Sequence, residues 1–447
     1  MSAGSGDGER DPTLRAQLTR FLLPLVLTHF VHELSVQFVN GGIARTPNPT
    51  LTLAAVALAM GIAYLHASPL SQIRQLGLTL VEDLASARQV FVFVSLCSGL
   101  MCLPLAAIAL IPFVGDFVLY WLHGTSVPLA EVVRFALLVL VPLPLIEGIL
   151  RLMSGMLLRA RRTDVLSAGT VISIAVSIGA VFALIPTNLV QSRPIWLPLI
   201  VIYVGLTVEL VVMGWGCHRF VHPQLRGRRN DSAAEAVAPI GLCYLTRFFW
   251  PLALIQLIQG LSRPVINLFV SRGAEAESAL AALAIVYSLA HIWYGWVNEL
   301  KSLPVAFQQH GQWGLGEVRR FCAFCAALSF ALMLVALSTP LRDVILLQLI
   351  GVSEEIALRC QVPLILFSFF PVAVGVRSYY HGIALLEHRP RSLVLSAPAR
   401  IGIIVAVLAL LPQSEVPGAT RGIAALLAGF VLEAVVCWYN VRVRSVP

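Results

Sequence analysis

About twelve stretches of this chain are each long and apolar enough to cross a bilayer, and that leaves few folds open. They fall at about 20–43, 51–72, 89–112, 132–158, 165–186 and 195–217, then 246–270, 279–303, 321–340, 358–385, 392–412 and 421–441. A crossing helix needs roughly 20 apolar residues. Backbone groups in hydrocarbon must pair among themselves, so spans are helices or closed barrels, and stretches of this length are helices. Only 12% of the 447 residues are charged and 58% are hydrophobic. A soluble domain carries about 25% charged residues, so a soluble enzyme's surface cannot be covered from this supply. A single-span receptor is excluded because the apolar residues run the length of the chain. The expected class is an all-α polytopic membrane protein.

An even number of spans puts both termini on one side. With the termini in the cytoplasm, cytoplasmic ends and loops hold 22 of the 31 basic residues, and external ends hold seven. Arg263 and Arg400 lie deeper. Cytoplasmic loops are the ones enriched in Lys and Arg, so the ratio supports a multi-pass protein of the cell membrane with cytoplasmic termini. It also accounts for the net charge of +8 with no nucleic-acid partner. Residues 1–19 are expected as a polar N-terminus without the features of a signal peptide. A first bundle should cover 20–217, a basic cytoplasmic linker 218–245, a second bundle 246–441 and a short tail 442–447.

The linker divides two related halves. Residues 20–45 and 247–272 align without a gap at an offset of 227, and nine of the 26 positions are identical, among them Arg20/Arg247, Pro24/Pro251, Ser35/Ser262 and Asn40/Asn267. The same offset pairs Arg74 with Lys301, Pro144 with Pro371, Gly148 with Gly375 and Gly155 with Gly382. With small gaps it reaches Glu209 and Glu433. Six spans per copy is an even number, so the copies share one orientation. The expectation is two parallel-repeat six-helix bundles around a central cavity, with the substrate near the midplane, as in several secondary transporters.

Charges inside a membrane cost about 2.5–3.5 kcal/mol at a helix centre, so each needs a cavity or a partner. The first span carries His29, His32, Glu33, Gln37 and Asn40; at 3.6 residues per turn His29, His32 and Glu33 share one face. The seventh carries Gln259, Arg263 and Asn267, again on one face. The eighth carries His291, Glu299 and Lys301. Glu147, Arg151 and Arg377 sit in the fourth and tenth, Arg400 opens the eleventh, and Glu209 and Glu433 lie in the sixth and twelfth. The expected substrate contacts are Arg263, Asn267, Asn40, Gln37, His291, Lys301, Arg377 and Arg400. Glu33, His29 and His32 are candidates for proton coupling. Pro142, Pro144, Pro264, Pro363 and Pro371 are expected to interrupt or kink their helices, as static packing or as gates, and Glu299 joins that structural group. Duller alternatives stay open: Glu33 pairing with Arg263, the histidines as packing groups, and Arg151, Lys301 and Arg377 reaching out to headgroups.

The chemistry of an ATP-driven motor or an enzyme is missing from the motifs. The phosphate loop needs a lysine after glycine, and the only lysine, Lys301, follows Leu300. There is no HExxH and no GxSxG. Cys322 and Cys325 form a CxxC with no second pair and no nearby histidine, so no metal or cofactor is expected. The expectation is a transporter, driven by a gradient or passive, and a monomer whose partners are membrane lipids and a small substrate.

Several segments resemble the progressive ankylosis family, the ANK-type exporters of pyrophosphate and polyvalent anions. They are SRPVINLFVSR (Ser262 to Arg272), the pattern Tyr287, His291, Tyr294-Gly295-Trp296 and Glu299, FSFFPV (Phe367 to Val372) with Arg377, and LLAGFV (Leu426 to Val431) with Glu433. The first half is similar more thinly, at Arg20 to Leu25, Gln37, Asn40, Gly42 to Ala44 and Arg193-Pro194. The resemblance implies the fold of the multidrug and toxin extrusion (MATE) proteins and export of pyrophosphate, nucleoside triphosphates such as ATP, or citrate. Two positions depart from the family, which carries basic residues where this chain has Gly41 and Gly260. Arginine is suited to such anions, since its planar fork binds phosphate or carboxylate oxygens in pairs. The alternatives are a cation or drug antiporter with an acidic cavity, and a flippase for lipid precursors.

Overall fold

A computed structural model describes residues 12–43, 45–122, 125–231, 241–270, 276–350, 354–412 and 415–443. The described chain is helical: α1 (Pro12–Ile43), α2 (Pro49–Ala67), α3 (Ile73–Thr79), α4 (Leu84–Leu110), α5 (Val127–Leu140), α6 (Leu143–Arg159), α7 (Thr163–Leu184), α8 (Trp196–Gly216), α9 (Leu242–Gly260), α10 (Ser262–Val270), α11 (Ala276–Tyr294), α12 (Gly311–Ser338), α13 (Glu354–Phe367), α14 (Phe370–Leu386), α15 (Ser396–Leu410) and α16 (Gly418–Val443), with short 3₁₀ and π segments between them. Among the described residues eight helices are long and apolar enough to cross a membrane, and α5 with α6, bent by 44°, makes a ninth. The stretches expected at 20–43, 51–72 and 279–303 are helical too, in α1, α2 and α11. Large apolar side chains such as Leu96, Leu100, Leu103, Phe324 and Leu358 stand exposed along the helices, as hydrocarbon permits and water does not.

Local chemistry sets where the helices begin and end. The α4 helix starts at a capping box: the Asp83 carboxylate accepts from the Ser86 N–H at 2.7 Å, and Ser86 Oγ accepts from the Asp83 N–H at 3.0 Å. It ends at extended Ile111, ahead of Pro112, because a residue before proline is pushed out of the helical region. The break between α5 and α6 falls at Val141-Pro142, with Pro144 in the first turn beyond it. Ser368-Phe369 is the matching break between α13 and α14, and Pro371 again follows it. Pro363 was expected to interrupt this span, yet α13 runs through it. A proline inside a helix forfeits one hydrogen bond without ending the helix, while a proline in the first turn forfeits none, because those N–H groups have no intrahelical partner. Pro264 likewise sits in the first turn of α10, after a break at Leu261.

Element boundaries recur at the repeat offset. Helices α2 and α11 run from 49 to 67 and from 276 to 294, α5 and α13 from 127 to 140 and from 354 to 367, and α6 and α14 from 143 to 159 and from 370 to 386. Each bound shifts by 227. The 3₁₀ segments begin at Ser68 and Gly295, and the π segments at Phe117 and Val344, at the same shift.

The chain divides into two compact units, Leu27–Leu261 and Met1–Val26 with Ser262–Pro447. The division falls inside α1 and after α9, away from the 218–245 linker. In the first unit α7 packs on α8, α4 on α6 and α2 on α5; in the second α15 packs on α16, α12 on α14 and α11 on α13. Two glycines let their helices pack directly against backbone carbonyls. A Cβ on Gly155 would lie 2.1 Å from the Arg74 carbonyl oxygen, and one on Gly382 would lie 2.6 Å from that of Lys301. Both members of each pair are repeat mates.

Two outcomes follow. Gly155→Ala and Gly382→Ala should each destabilise the protein by about 1–3 kcal/mol, as overpacking does, read as a lower melting temperature in detergent; unchanged melting of both would mean that the backbones can separate. Asp83→Ala should cost about 0.5–2 kcal/mol through the lost cap. Its hydrogen bonds, the Ser86 N–H first, hold the Asp83 carboxyl below the usual carboxylate range. The cap's contribution is therefore present above the ordinary value and lost as pH falls through the depressed one. A melting series against pH in wild type and variant checks that sign.

Candidate functional site

A buried polar cluster lies in the unit of Met1–Val26 and Ser262–Pro447. Glu433 of α16 is 1% exposed, and its Oε2 accepts from Arg377 Nη1 of α14 and from Arg400 Nη1 of α15, each at 3.2 Å. Arg377 also donates through Nη2 to Asn298 Oδ1. Asn298 is held in turn because its Nδ2 donates to the Gly295 carbonyl at 2.9 Å. The 3₁₀ segment Gly295–Ser302 thus places an uncharged acceptor beside the guanidinium. Both guanidiniums lie over the Phe430 ring, at 3.9 Å for Arg400 and 5.2 Å for Arg377. Such stacking suits a desolvated arginine. Gly429 lets α15 approach α16, since a Cβ there would meet Ile404 Cγ1 at 2.8 Å and Arg400 Cγ at 3.1 Å.

An aromatic row links this cluster to a third arginine. Phe430 packs on Phe370 at 5.0 Å, Phe370 stacks on Phe367 at 4.1 Å, and Tyr287 meets Phe367 edge-on at 6.1 Å. Arg263 of α10 lies over Tyr287 at 4.7 Å. Tyr294 stacks on Phe367 at 5.8 Å and is within electrostatic reach of Arg263, Arg400 and Arg377. One turn beyond Arg377 on α14, buried His381 has Lys301 and Arg377 as charged neighbours. Buried polar atoms of this unit without a hydrogen-bond partner among the described residues include Ser262 Oγ, Tyr287 Oη, Ser302 Oγ, His381 Nε2 and Arg400 Nε.

The other unit carries a smaller cluster of opposite balance. Arg151 pairs with Glu147 at 3.0 Å, and Glu209 Oε1 accepts from Thr170 Oγ1 at 2.9 Å. Glu209 and Tyr64 are further electrostatic neighbours of Arg151. Here one arginine has two carboxylates as neighbours, and in the other unit one carboxylate, Glu433, pairs with two arginines.

Of the expected substrate set, Arg263, Lys301, Arg377 and Arg400 lie in one unit. His291 touches Tyr294 at 5.6 Å. Glu299 is half-buried on the same 3₁₀ segment, and Asn267 is exposed on α10. Arg377 does not reach out to a headgroup: its side chain is 11% exposed and bound to Glu433 and Asn298. His29 is half-buried in α1. His32, Glu33, Gln37 and Asn40 belong to α1, but their side chains lie outside the described residues. Sequence reasoning missed Asn298, His381 and Phe430 as site residues. The signal for His381 was its place four residues after Arg377, and that for Phe430 its place in the LLAGFV segment ahead of Glu433; Asn298 offered none.

Comparison with known proteins adds two findings. Residues 12–337 match the Progressive ankylosis protein (ANKH) family. The fold is similar to that of a point mutant of the Vibrio cholerae MATE transporter VcmN (TM-score 0.75, 15% identity, 97% of this chain and 98% of that chain). It is also similar to the eukaryotic MATE transporter AtDTX14 (TM-score 0.74, 14% identity, 97% and 96%). A MOP superfamily transporter from Pyrococcus furiosus, described as having a binding pocket of reverse polarity, matches with a TM-score of 0.69 at 13% identity over 96% of both chains.

The cluster makes a prediction of its own. Glu433→Leu leaves two buried guanidiniums without their shared anion and should cost about 3–5 kcal/mol. Arg400→Met leaves Glu433 its bond to Arg377 and should cost less. Melting of both variants in detergent measures the order; an equal or reversed order means that Glu433 is not the common partner.

Proposed function

The chain belongs to the progressive ankylosis protein family and, with the fold of the MATE transporters, is a membrane transporter rather than an enzyme; we propose that it exports polyvalent anions such as pyrophosphate, ATP or citrate by alternating access. The observation that carries this reading is the gathering of Arg263, Arg377, Arg400 and Lys301 in one unit, with the Glu433 carboxylate shared by two of them. Arginine keeps its charge when desolvated and offers paired donors to phosphate or carboxylate oxygens. The donors Arg400 Nε and Tyr287 Oη have no partner among the described residues, so the unit has hydrogen-bonding capacity to offer an anion.

The proposed architecture is two copies of a six-span unit in one orientation, twelve spans in all. It rests on the 227-residue shift that relates sequence and element boundaries alike. The breaks at Val141-Pro142 and Ser368-Phe369, each followed by a proline, are the places where the spans can flex. The protein is proposed to sit in the cell membrane as a monomer with cytoplasmic termini, on the distribution of basic residues. A second reading, transport of a cation, is favoured by one observation only: Glu147 and Glu209 outnumber Arg151 in the other unit.

Uptake into proteoliposomes of labelled pyrophosphate, ATP, citrate and a cationic dye in parallel separates the readings. Anion flux that falls at least tenfold in Arg263→Ala, with the variant folded in detergent, is the expected result. A tenfold change corresponds to about 1.4 kcal/mol of interaction at the site, which one lost arginine contact readily exceeds. Dye flux without anion flux would replace the proposal with the cation reading.

A further inference from the structure

We propose that the outer face of α12, α14 and α16 holds one anionic phospholipid, with an acyl chain in a groove between these helices and the phosphate on Arg319 and Arg442. The groove has a volume of about 460 Å³, and its lining includes Phe330 of α12, Phe369 and Ala373 of α14, and Val431, Ala434 and Trp438 of α16. Its depth comes from two small side chains. Ala373 and Ala434 are buried and form the floor, while Phe369, Val431 and Trp438 stand exposed as walls. All three helices belong to spans long and apolar enough to cross a membrane, so the groove opens on hydrocarbon. Left empty, it would forfeit the dispersion contacts of its lining. An acyl chain is flexible and unbranched, and it can lie along a narrow apolar channel.

Charge at one end of the groove selects the headgroup. Helix α12 runs antiparallel to α14, since Phe330 meets Phe369 at 5.4 Å and Tyr379 Oη donates to the Leu315 carbonyl at 3.4 Å. Helix α16 runs parallel to α14, since Phe430 meets Phe370 and Glu433 meets Arg377. The start of α12 and the ends of α14 and α16 therefore lie at the same end of the groove. Arg319 is eleven residues before Phe330, and at 3.6 residues per turn it lies within about 20° of it around α12. It is an electrostatic neighbour of Tyr379. Arg442 is four residues after Trp438, on the same face of α16, and closes its span. Both arginines are exposed. The acid nearest to Arg319 in the chain, Glu317, is buried and bound to Arg15 and Arg320.

Trp438 and Tyr379 stand where channel gives way to charge, and such amphipathic rings sit at headgroup level. Cations above them attract anionic lipids. The site also bears on the interruption of the span. Phe369 is both a wall of the groove and part of the break between α13 and α14, so a seated chain packs against that break and braces it.

The test is native mass spectrometry of the whole chain in detergent, titrated with phosphatidylglycerol and with phosphatidylcholine of the same acyl chains. Wild type should retain one phosphatidylglycerol at a concentration at least tenfold below that needed for phosphatidylcholine. Arg319→Gln should lower this preference about fivefold. Val431→Phe, which narrows the groove from an exposed wall, should weaken retention of both lipids. In phosphatidylcholine bilayers, phosphatidylglycerol with brominated chains should quench Trp438, read as the difference between wild type and Trp438→Phe. The quenching should exceed that by brominated phosphatidylcholine at the same mole fraction, and equal quenching overturns the proposal. Equal retention of the two lipids by wild type overturns it even if no variant folds. Selective retention that survives in both folded Arg319→Gln and folded Val431→Phe puts the lipid elsewhere and overturns it as well. A wild-type dimer that Val431→Phe dissociates means that a second copy covers the groove, which also overturns it.

Discussion

Backbone N–H and C=O groups have no water to bond in hydrocarbon, and the rest of this structure depends on that constraint. Helices satisfy them within each span. What distinguishes this chain is where the helices stop short. The breaks at 141–142 and 368–369 and the 3₁₀ segments starting at 68 and 295 lie 227 residues apart in each case. They are also where polar side chains enter. Asn298 and Lys301 stand on one 3₁₀ segment, and Gln72, whose Nε2 donates to Gln256 Oε1 at 2.8 Å, stands on the other. Gly155 and Gly382 bring α6 and α14 against the backbone carbonyls of Arg74 and Lys301, so these segments are clamped rather than loose.

On this shared frame the charges have diverged. Glu209 and Glu433 align near the 227-residue offset once small gaps are allowed, and Arg151 and Arg377 lie within one position of it. Around Glu209 the chain adds a second acid, Glu147, on the helix of Arg151. Around Glu433 it adds a second arginine, Arg400, and stacks both guanidiniums on Phe430. Burying an ion costs several kcal/mol unless it is paired and hydrogen-bonded, so each added charge had to come with a partner. The result is one cluster of acidic and one of basic balance from the same scaffold, which is the physical basis for reading the basic one as an anion site.

The sequence by itself determined the helical membrane class, the recurrence of similar segments at a fixed offset and the residue types available for chemistry. Each of these follows from local or periodic information: span length, hydropathy, and a fixed offset between similar segments. It also singled out Arg263, Lys301, Arg377 and Arg400, because a charge in an apolar stretch is conspicuous. It did not say that Arg377 turns inward to Glu433, 56 residues away, that Phe430 of the LLAGFV segment would lie under two guanidiniums, or that Asn298 would accept from Arg377. Nor did it show that Pro363 would be absorbed within α13 while the break fell at Ser368-Phe369. Those outcomes were decided by tertiary structure, because partner choice depends on which helix faces pack together, and α14, α15 and α16 meet across long separations in the chain. A one-dimensional pattern records that a charge must be paired; only the packed helices decide with what.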